Sequence, residues 1–242
     1  EKASEARKKS AARERWCQVE HDGVKGWVLG RFLAEGSAPE PEPKLQQQAA
    51  QPAPPVAPPA QNVSPSFDCA KAEKNWEKLA CADNELAAID REAARLYALA
   101  SEALNATPGF EQLLDSQSKW RGQLVTCFDR ECVSEVMVRR VHQLRRDHKE
   151  ARAQDGKGIS MGPLVARCDG FPIPVAVTYV NSDPGFAYLE WMDGFVVMPH
   201  TPSGSGARYE GSFARFHTQG ESGLLLIPGG KAEMNCKLEK SG

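Results

Sequence analysis

Two short runs carry side chains whose types and spacing suit recognition: Ser203-Gly204-Ser205-Gly206-Ala207-Arg208-Tyr209, and after it Thr218-Gln219-Gly220-Glu221. The Ser205 hydroxyl can donate or accept, Gly204 and Gly206 allow close backbone approach, and Arg208 and Tyr209 can brace a hairpin or reach its rim. Gln219 donates hydrogen bonds without carrying charge. This is the chemistry of a binding loop, not of turnover. The sequence shows no paired nucleophile and base, and no phosphate-cradling glycine loop ahead of a helix, so no enzyme is expected. His200 and His217 lack the cysteine or acidic spacing of a metal site, and no metal or cofactor is expected.

The second set of reactive residues is the seven cysteines at 17, 69, 81, 127, 132, 168 and 236. None forms a C-x-x-C pair or a Cys/His metal pattern, which points to disulfides and to an oxidising compartment such as the periplasm. Cys168 opens the last block and Cys236 lies near its end, so a bridge between them would tie first and last strands. Cys69, Cys81, Cys127 and Cys132 allow several connectivities, of which two local bridges, Cys69–Cys81 and Cys127–Cys132, are favoured. Cys17 is then the odd thiol, its partner expected upstream. The charged start is no signal peptide, so a trimmed leader is inferred, and no stretch is apolar enough to span a membrane.

The elements that must position these residues fall into blocks. At 242 residues, 41% hydrophobic and 26% charged, the chain is an ordinary globular protein with net charge −2 and no basic footprint for nucleic acid. Residues 1–36 form a charged lead-in and a hairpin. Trp16-Cys17-Gln18-Val19, a turn at Asp22-Gly23, and Gly26-Trp27-Val28 resemble the closing half of a bacterial SH3-like domain. Residues 37–65 are a Pro/Ala/Gln-rich linker of extended character. Residues 66–152 repeat apolar side chains at helical spacing: a short helix with Trp76 and Leu79, then Leu86 to Leu104, Phe110 to Leu124, and Val133 to Leu144. Residues 153–162 are a Gly-rich joint, and 163–242 alternate in the manner of strands, at 175–180, 187–192, 195–198, 224–227 and 232–236. The fold class expected is multidomain α+β: a disulfide-pinned helical bundle, then a small antiparallel β-barrel, with a partial SH3-like hairpin at the N-terminus.

Cys69, the stretch Cys81-Ala82-Asp83-Asn84-Glu85-Leu86-Ala87-Ala88-Ile89-Asp90, Tyr97, Gln117-x-x-Trp120, Cys127, Cys132 and Arg140-Val141 resemble the LprI-like family of secreted bacterial proteins. Leu124 and Met137 stand where that family usually carries Arg and Tyr. One family member has been linked to lysozyme inhibition, while the family as a whole has no settled activity. Trp76, Tyr97 and Trp120 read as core, and functional residues here would be surface carboxylates or the loop at Asp129, Arg130 and Glu131.

In the last block, Cys168-Asp169-Gly170, Val177-x-Tyr179, Ser203 to Tyr209, Phe216-x-Thr218-Gln219-Gly220-Glu221 and Cys236 resemble the MliC family, membrane-bound inhibitors of c-type lysozyme. The resemblance implies that a serine of the first run, matched by Ser205, enters the lysozyme cleft together with a lysine one hairpin later. Gln219 occupies the lysine position, and His217 stands where tryptophan is usual. The resemblance makes Ser203, Gly204, Ser205, Gly206, Arg208, Tyr209, Thr218 and Gln219 the expected lysozyme-binding set. The leading expectation is therefore an inhibitor of c-type lysozyme in the periplasm or outer envelope. A competing one is an envelope adaptor that binds peptidoglycan without inhibiting anything. Nothing in the sequence assigns an oligomeric state.

Overall fold

The structure is a computed structural model that describes residues 16–21, 24–29, 63–152, 157–192, 194–211 and 213–240. In the N-terminal unit, β1 (Trp16–His21) pairs antiparallel with β2 (Val24–Leu29), from Trp16 opposite Leu29 to His21 opposite Val24. That two-stranded sheet is all that is described of the expected SH3-like fragment. The charged lead-in, the Asp22-Gly23 turn and the linker up to residue 62 lie outside the described residues.

From Pro59 onward the chain forms a second unit. A single 3-10 turn (Cys69–Lys71) leads into α1 (Asn75–Ala82), α2 (Asn84–Leu104), α3 (Gly109–Val125), α4 (Arg130–Asp147) and the short α5 (Lys149–Arg152). Aspartates open the two helices that matter most for packing. Asp83 accepts from the Glu85 and Leu86 amides at 2.9 and 3.0 Å, and Asp129 accepts from the Cys132 amide at 2.8 Å. Such caps satisfy otherwise orphaned helix-start donors and contribute about 1 kcal/mol each. Disulfides Cys69–Cys81 and Cys127–Cys132 fasten the 3-10 turn to the end of α1 and the α3–α4 turn to α4. The apolar faces of the helices meet in one core that includes Leu86, Ile89, Leu96, Leu124, Met137 and Val141.

Eight strands then run as an antiparallel meander that closes on itself: β3 (Ser160–Cys168), β4 (Phe171–Val180), β5 (Phe186–Trp191), β6 (Gly194–Thr201), β7 (Ala207–Gly211), β8 (Ala214–Gln219), β9 (Ser222–Leu226) and β10 (Met234–Lys240). Closure is made by β10 on β3, where Cys236 lies opposite Cys168 and is bonded to it. Val177, Tyr179, Leu189, Met198, Phe216 and Leu225 point inward and fill the barrel.

The helices and the barrel share a core. Val180, Phe186 and Tyr188 point out of the barrel and pack among the helical residues. Consequently the last four residues of β4 and the first four of β5 are buried on both faces, which is why these stretches read as nearly continuous apolar runs. The polar part of this interface is fully paired. Fully buried Arg145 of α4 donates to the carbonyls of Gly162 (2.6 Å) and Ser160 (3.2 Å), and the Ser160 hydroxyl donates to Glu92 of α2. His142 stacks on Tyr188 with ring centres 4.3 Å apart and reaches Thr178 Oγ1 (2.8 Å) and Glu190 Oε2 (3.1 Å). A buried charge stripped of such partners would cost several kcal/mol, so this network fixes how the helical block sits on the barrel. It also explains why β3 already begins at Ser160, within the segment expected as a joint: Arg145 and the Asn181 amide, which donates to the Ile159 carbonyl at 2.6 Å, hold it in place.

Candidate functional site

One end of the barrel gathers the connections β4–β5 (181–185), β6–β7 (202–206) and β8–β9 (220–221). Ala207 pairs with Thr218 and Gln219 with Ser222, so the Ser203–Gly206 loop and the Gln219 hairpin are neighbouring projections of adjacent strand pairs. A groove of about 540 Å³ runs beside the loop toward the β4–β5 turn, bordered by Pro184, His200 and Pro202.

The loop is held from within. The Ser203 hydroxyl donates toward the carbonyls of Ser205 (3.0 Å) and Gly206 (3.1 Å), closing a tight turn. The Ser205 carbonyl also lies 2.8 Å from His217 Nε2; because a carbonyl only accepts, the imidazole is the donor. Gly206 has φ +65°, and a Cβ there would stand 2.2 Å from the Thr218 carbonyl oxygen, so glycine is required where the loop meets β8. With its backbone braced in this way, exposed Ser205 has no partner for its hydroxyl among the described residues and presents it to solvent.

The residues expected to bind divide by the strand alternation. Ser203, Gly204, Ser205, Gly206 and Gln219 are exposed at the barrel end. Tyr209 and Thr218 point inward: the Tyr209 ring packs against Tyr179 and His200, with centres 5.6 and 5.4 Å away, and Thr218 hydrogen-bonds the Tyr179 side chain. Burial raises both tyrosine hydroxyls above their ordinary value, so they remain neutral supports under the loop. Arg208 faces outward but is engaged by Glu210 at 2.6 Å, and Arg215 pairs with Glu210 and Glu233. These two arginines hold the half-buried Glu210 carboxyl below its usual range. Of the two roles open to Arg208 and Tyr209, bracing describes their geometry. Arg215 sits further along β8 and is no cationic substitute for a lysine beside the loop.

Sequence reasoning did not find His217 as the brace, because its function depends on the β7–β8 register that sets it opposite Arg208. In the helical block, Asp129 serves as a helix cap and Arg130 is occupied by Asp83 (2.6 Å) and Glu85. Glu85 in turn accepts from Ser182 of the β4–β5 turn at 3.2 Å, linking the helices to the barrel end that carries the loop. Among the described residues, no group of His, Cys, Asp or Glu could hold a metal ion, and no helix is long and apolar enough to cross a membrane.

Residues 167–234 match the family described as membrane-bound lysozyme-inhibitor of c-type lysozyme. Lipoprotein LprI of Mycobacterium bovis and of two strains of Mycobacterium tuberculosis is 31% identical to this chain over 166 residues, covering 63% of the chain and 76% of the relative.

Proposed function

This chain belongs to the family of the lipoprotein LprI, and on that premise we propose that it is a proteinaceous inhibitor of c-type lysozyme at the bacterial cell envelope, with the exposed Ser203–Gly206 tip of the Ser203–Tyr209 loop entering the active-site cleft. The observation that carries the reading is the match of residues 167–234 to a family of c-type lysozyme inhibitors, combined with two adjacent polar tips on one barrel end. A glycosidase cleft presents two carboxyl groups, one protonated and one ionised. Ser205 supplies a hydroxyl able to donate to either, and Gln219 supplies an amide from the next hairpin. Arg208, Tyr209 and Thr218 act behind the contact surface by holding its shape, and His217 does the same across β7 and β8. The helical block contributes rigidity, since it packs on the outer face of β4 and β5.

The three disulfides among the described residues fit an oxidising compartment. The description of the matched family as membrane-bound and of the relatives as lipoproteins supports envelope attachment.

The test is c-type lysozyme turnover of cell-wall substrate in the presence of the oxidised chain. Ser205→Ala removes a hydrogen bond to a charged or polarised carboxyl and weakens inhibition about tenfold or more. Gln219→Lys replaces a neutral donor with a charged one; the difference of about 0.5 to 2 kcal/mol tightens inhibition roughly 2- to 30-fold. A folded, oxidised chain that leaves lysozyme fully active at micromolar concentration would sink the proposal.

A further inference from the structure

We propose that the helical block carries a saccharide site of its own, a cleft between α1, α2 and α3 that takes one N-acetylated amino-sugar ring of a glycan. The proposal goes beyond lysozyme inhibition and does not depend on it. The cleft measures about 380 Å³, at the small end of ligand pockets and large enough for a single substituted sugar ring. Its lining brings together residues that the LprI-like pattern holds far apart in sequence: Asp90 and Tyr97 of α2, and Gln117 and Trp120 of α3. None of these four contributes to the barrel-end loop; Trp120 and Tyr97 pack in or against the helical core, and all four also border the cleft.

The walls are aromatic. Trp76 and Phe67 meet edge to face at 5.4 Å on one side; Trp76 and Trp120 are core residues, 8% and 7% exposed, that show the cleft only their rims, while half-buried Phe67 and Tyr97 offer the wider aromatic surface. A pyranose ring has apolar C–H faces that stack on such surfaces, while its polar groups lie around the edge and need donors and acceptors in that plane. Among the polar groups of the lining, Asp90 supplies an acceptor and Gln117 a donor. Asp90 is only 3% exposed and accepts from the Ser66 amide at 2.6 Å, which leaves its carboxyl with further lone pairs. Burial pushes that carboxyl above its ordinary range, against the opposing pull of Ser66 and Arg121. Gln117 has its carbonyl oxygen pinned by Arg140, whose Nε and Nη2 donate to it at 3.1 and 2.8 Å, so its amide nitrogen is the group left to donate.

An acetamido substituent matches this pair, with an N–H for the carboxyl, a carbonyl for the amide and a methyl group for the aromatic edges. The two basic side chains of the lining, Lys74 and Arg121, are matched by the carboxyls of Glu77 and Asp90, with Lys74 3.9 Å from Glu77, so the charges of the cleft balance and suit a neutral ligand. The indole N–H of Trp76 is buried without a partner, whereas that of Trp120 donates to the Val136 carbonyl at 3.2 Å. Trp76 is therefore the wall with a hydrogen-bonding group still unsatisfied.

The experiment is titration of the full oxidised chain with tri-N-acetylchitotriose, followed by tryptophan fluorescence and calorimetry with no lysozyme present. Saturable binding is expected, with a change in tryptophan emission because two indoles line the cleft. Asp90→Asn and Ala94→Leu, the latter filling the cleft from α2, each raise the dissociation constant at least about tenfold. Melting temperatures establish that each variant is folded, and Ala94→Leu, at a half-buried wall position, stands alone if Asp90→Asn does not fold. Lysozyme inhibition by Ala94→Leu remains as in the wild type, which separates this site from the barrel loop. Absence of saturable binding up to about 10 mM sugar, or unchanged affinity in Ala94→Leu, overturns the proposal. Equal affinity for cellotriose overturns the amino-sugar assignment.

Discussion

Gly206→Ala tests whether the shape of the loop, and not only its composition, is built into the barrel. Two independent costs arise at this position. An alanine at φ +65° sits in the left-handed region, which disfavours a side-chain-bearing residue by roughly 1 to 2 kcal/mol. Its Cβ would also stand 2.2 Å from the Thr218 carbonyl oxygen, a backbone atom that cannot rotate away. Relief requires moving β7 from β8 by about an ångström where Ala207 pairs with Thr218, for a total of about 2 to 4 kcal/mol. In a domain of this size that lowers Tm by about 4 to 16 °C. Two other glycines of the same barrel end grade the effect. Gly220 has φ +61° with nothing within 4 Å of its Cβ position, so Gly220→Ala shows the conformational cost alone. Gly204 has neither a left-handed φ nor a close neighbour, so Gly204→Ala leaves Tm within about 1 °C or raises it slightly. The assay is thermal unfolding of the oxidised proteins followed by circular dichroism, with lysozyme inhibition measured in parallel. Gly206→Ala loses inhibition at temperatures where it is still folded, because Ser205 is displaced. Equal Tm values across the three variants would refute the reasoning.

Stability has a pH dependence that belongs to the helix–barrel interface. Burial holds the His142 imidazole below its ordinary value of 6.5, with Arg146 reinforcing and Glu190 and Asp147 opposing. The unfolded chain therefore binds a proton that the folded one resists, and stability falls as pH drops below about 6.5. Glu85 and Asp90, raised by burial, contribute with the opposite sign, so the quantity to measure is the difference between wild type and His142→Gln. Chemical denaturation at pH 7 and pH 5.5 should show a smaller acid loss in the variant, and equal losses would exclude His142 as the source. The Cys168–Cys236 bridge closes 68 residues of sequence separation, for which chain entropy predicts about 4 kcal/mol. The double substitution Cys168→Ala with Cys236→Ala is expected to lower Tm by about 8 to 16 °C, and a drop below about 3 °C would show that β3–β10 pairing closes the barrel unaided.

Much of the architecture can be read directly from the residues, because side-chain periodicity reports burial. The helical stripes ending in Leu104, Leu124 and Leu144 become α2, α3 and α4, with Asp83 and Asp129 marking two of the starts. Alternation in the last block reports strands, and the Ser/Gly run with its positive-φ glycine reports a tight, exposed connection. Three strands were less plain. β3 is interrupted by Gly162-Pro163, and β7 and β8 carry charge on the outward face, where Glu210 pairs with Arg208 along β7 and with Arg215 across to β8.

The sequence by itself determined which residues are exposed on the loop, because a Ser/Gly turn between strands has no apolar side chain to bury. Register and packing were left to the tertiary structure. One residue of strand shift exchanges inside for outside, so only the folded barrel decides that Tyr209 and Thr218 support the loop while Gln219 projects beside it. Only the folded barrel brings His217 onto the Ser205 carbonyl. The union of helices and barrel through Arg145, His142 and Glu92 depends on contacts between residues far apart in the chain, such as Glu92 with Ser160. No local periodicity encodes those contacts: the chain specifies each apolar face, and the closing of one face upon another selects the partner.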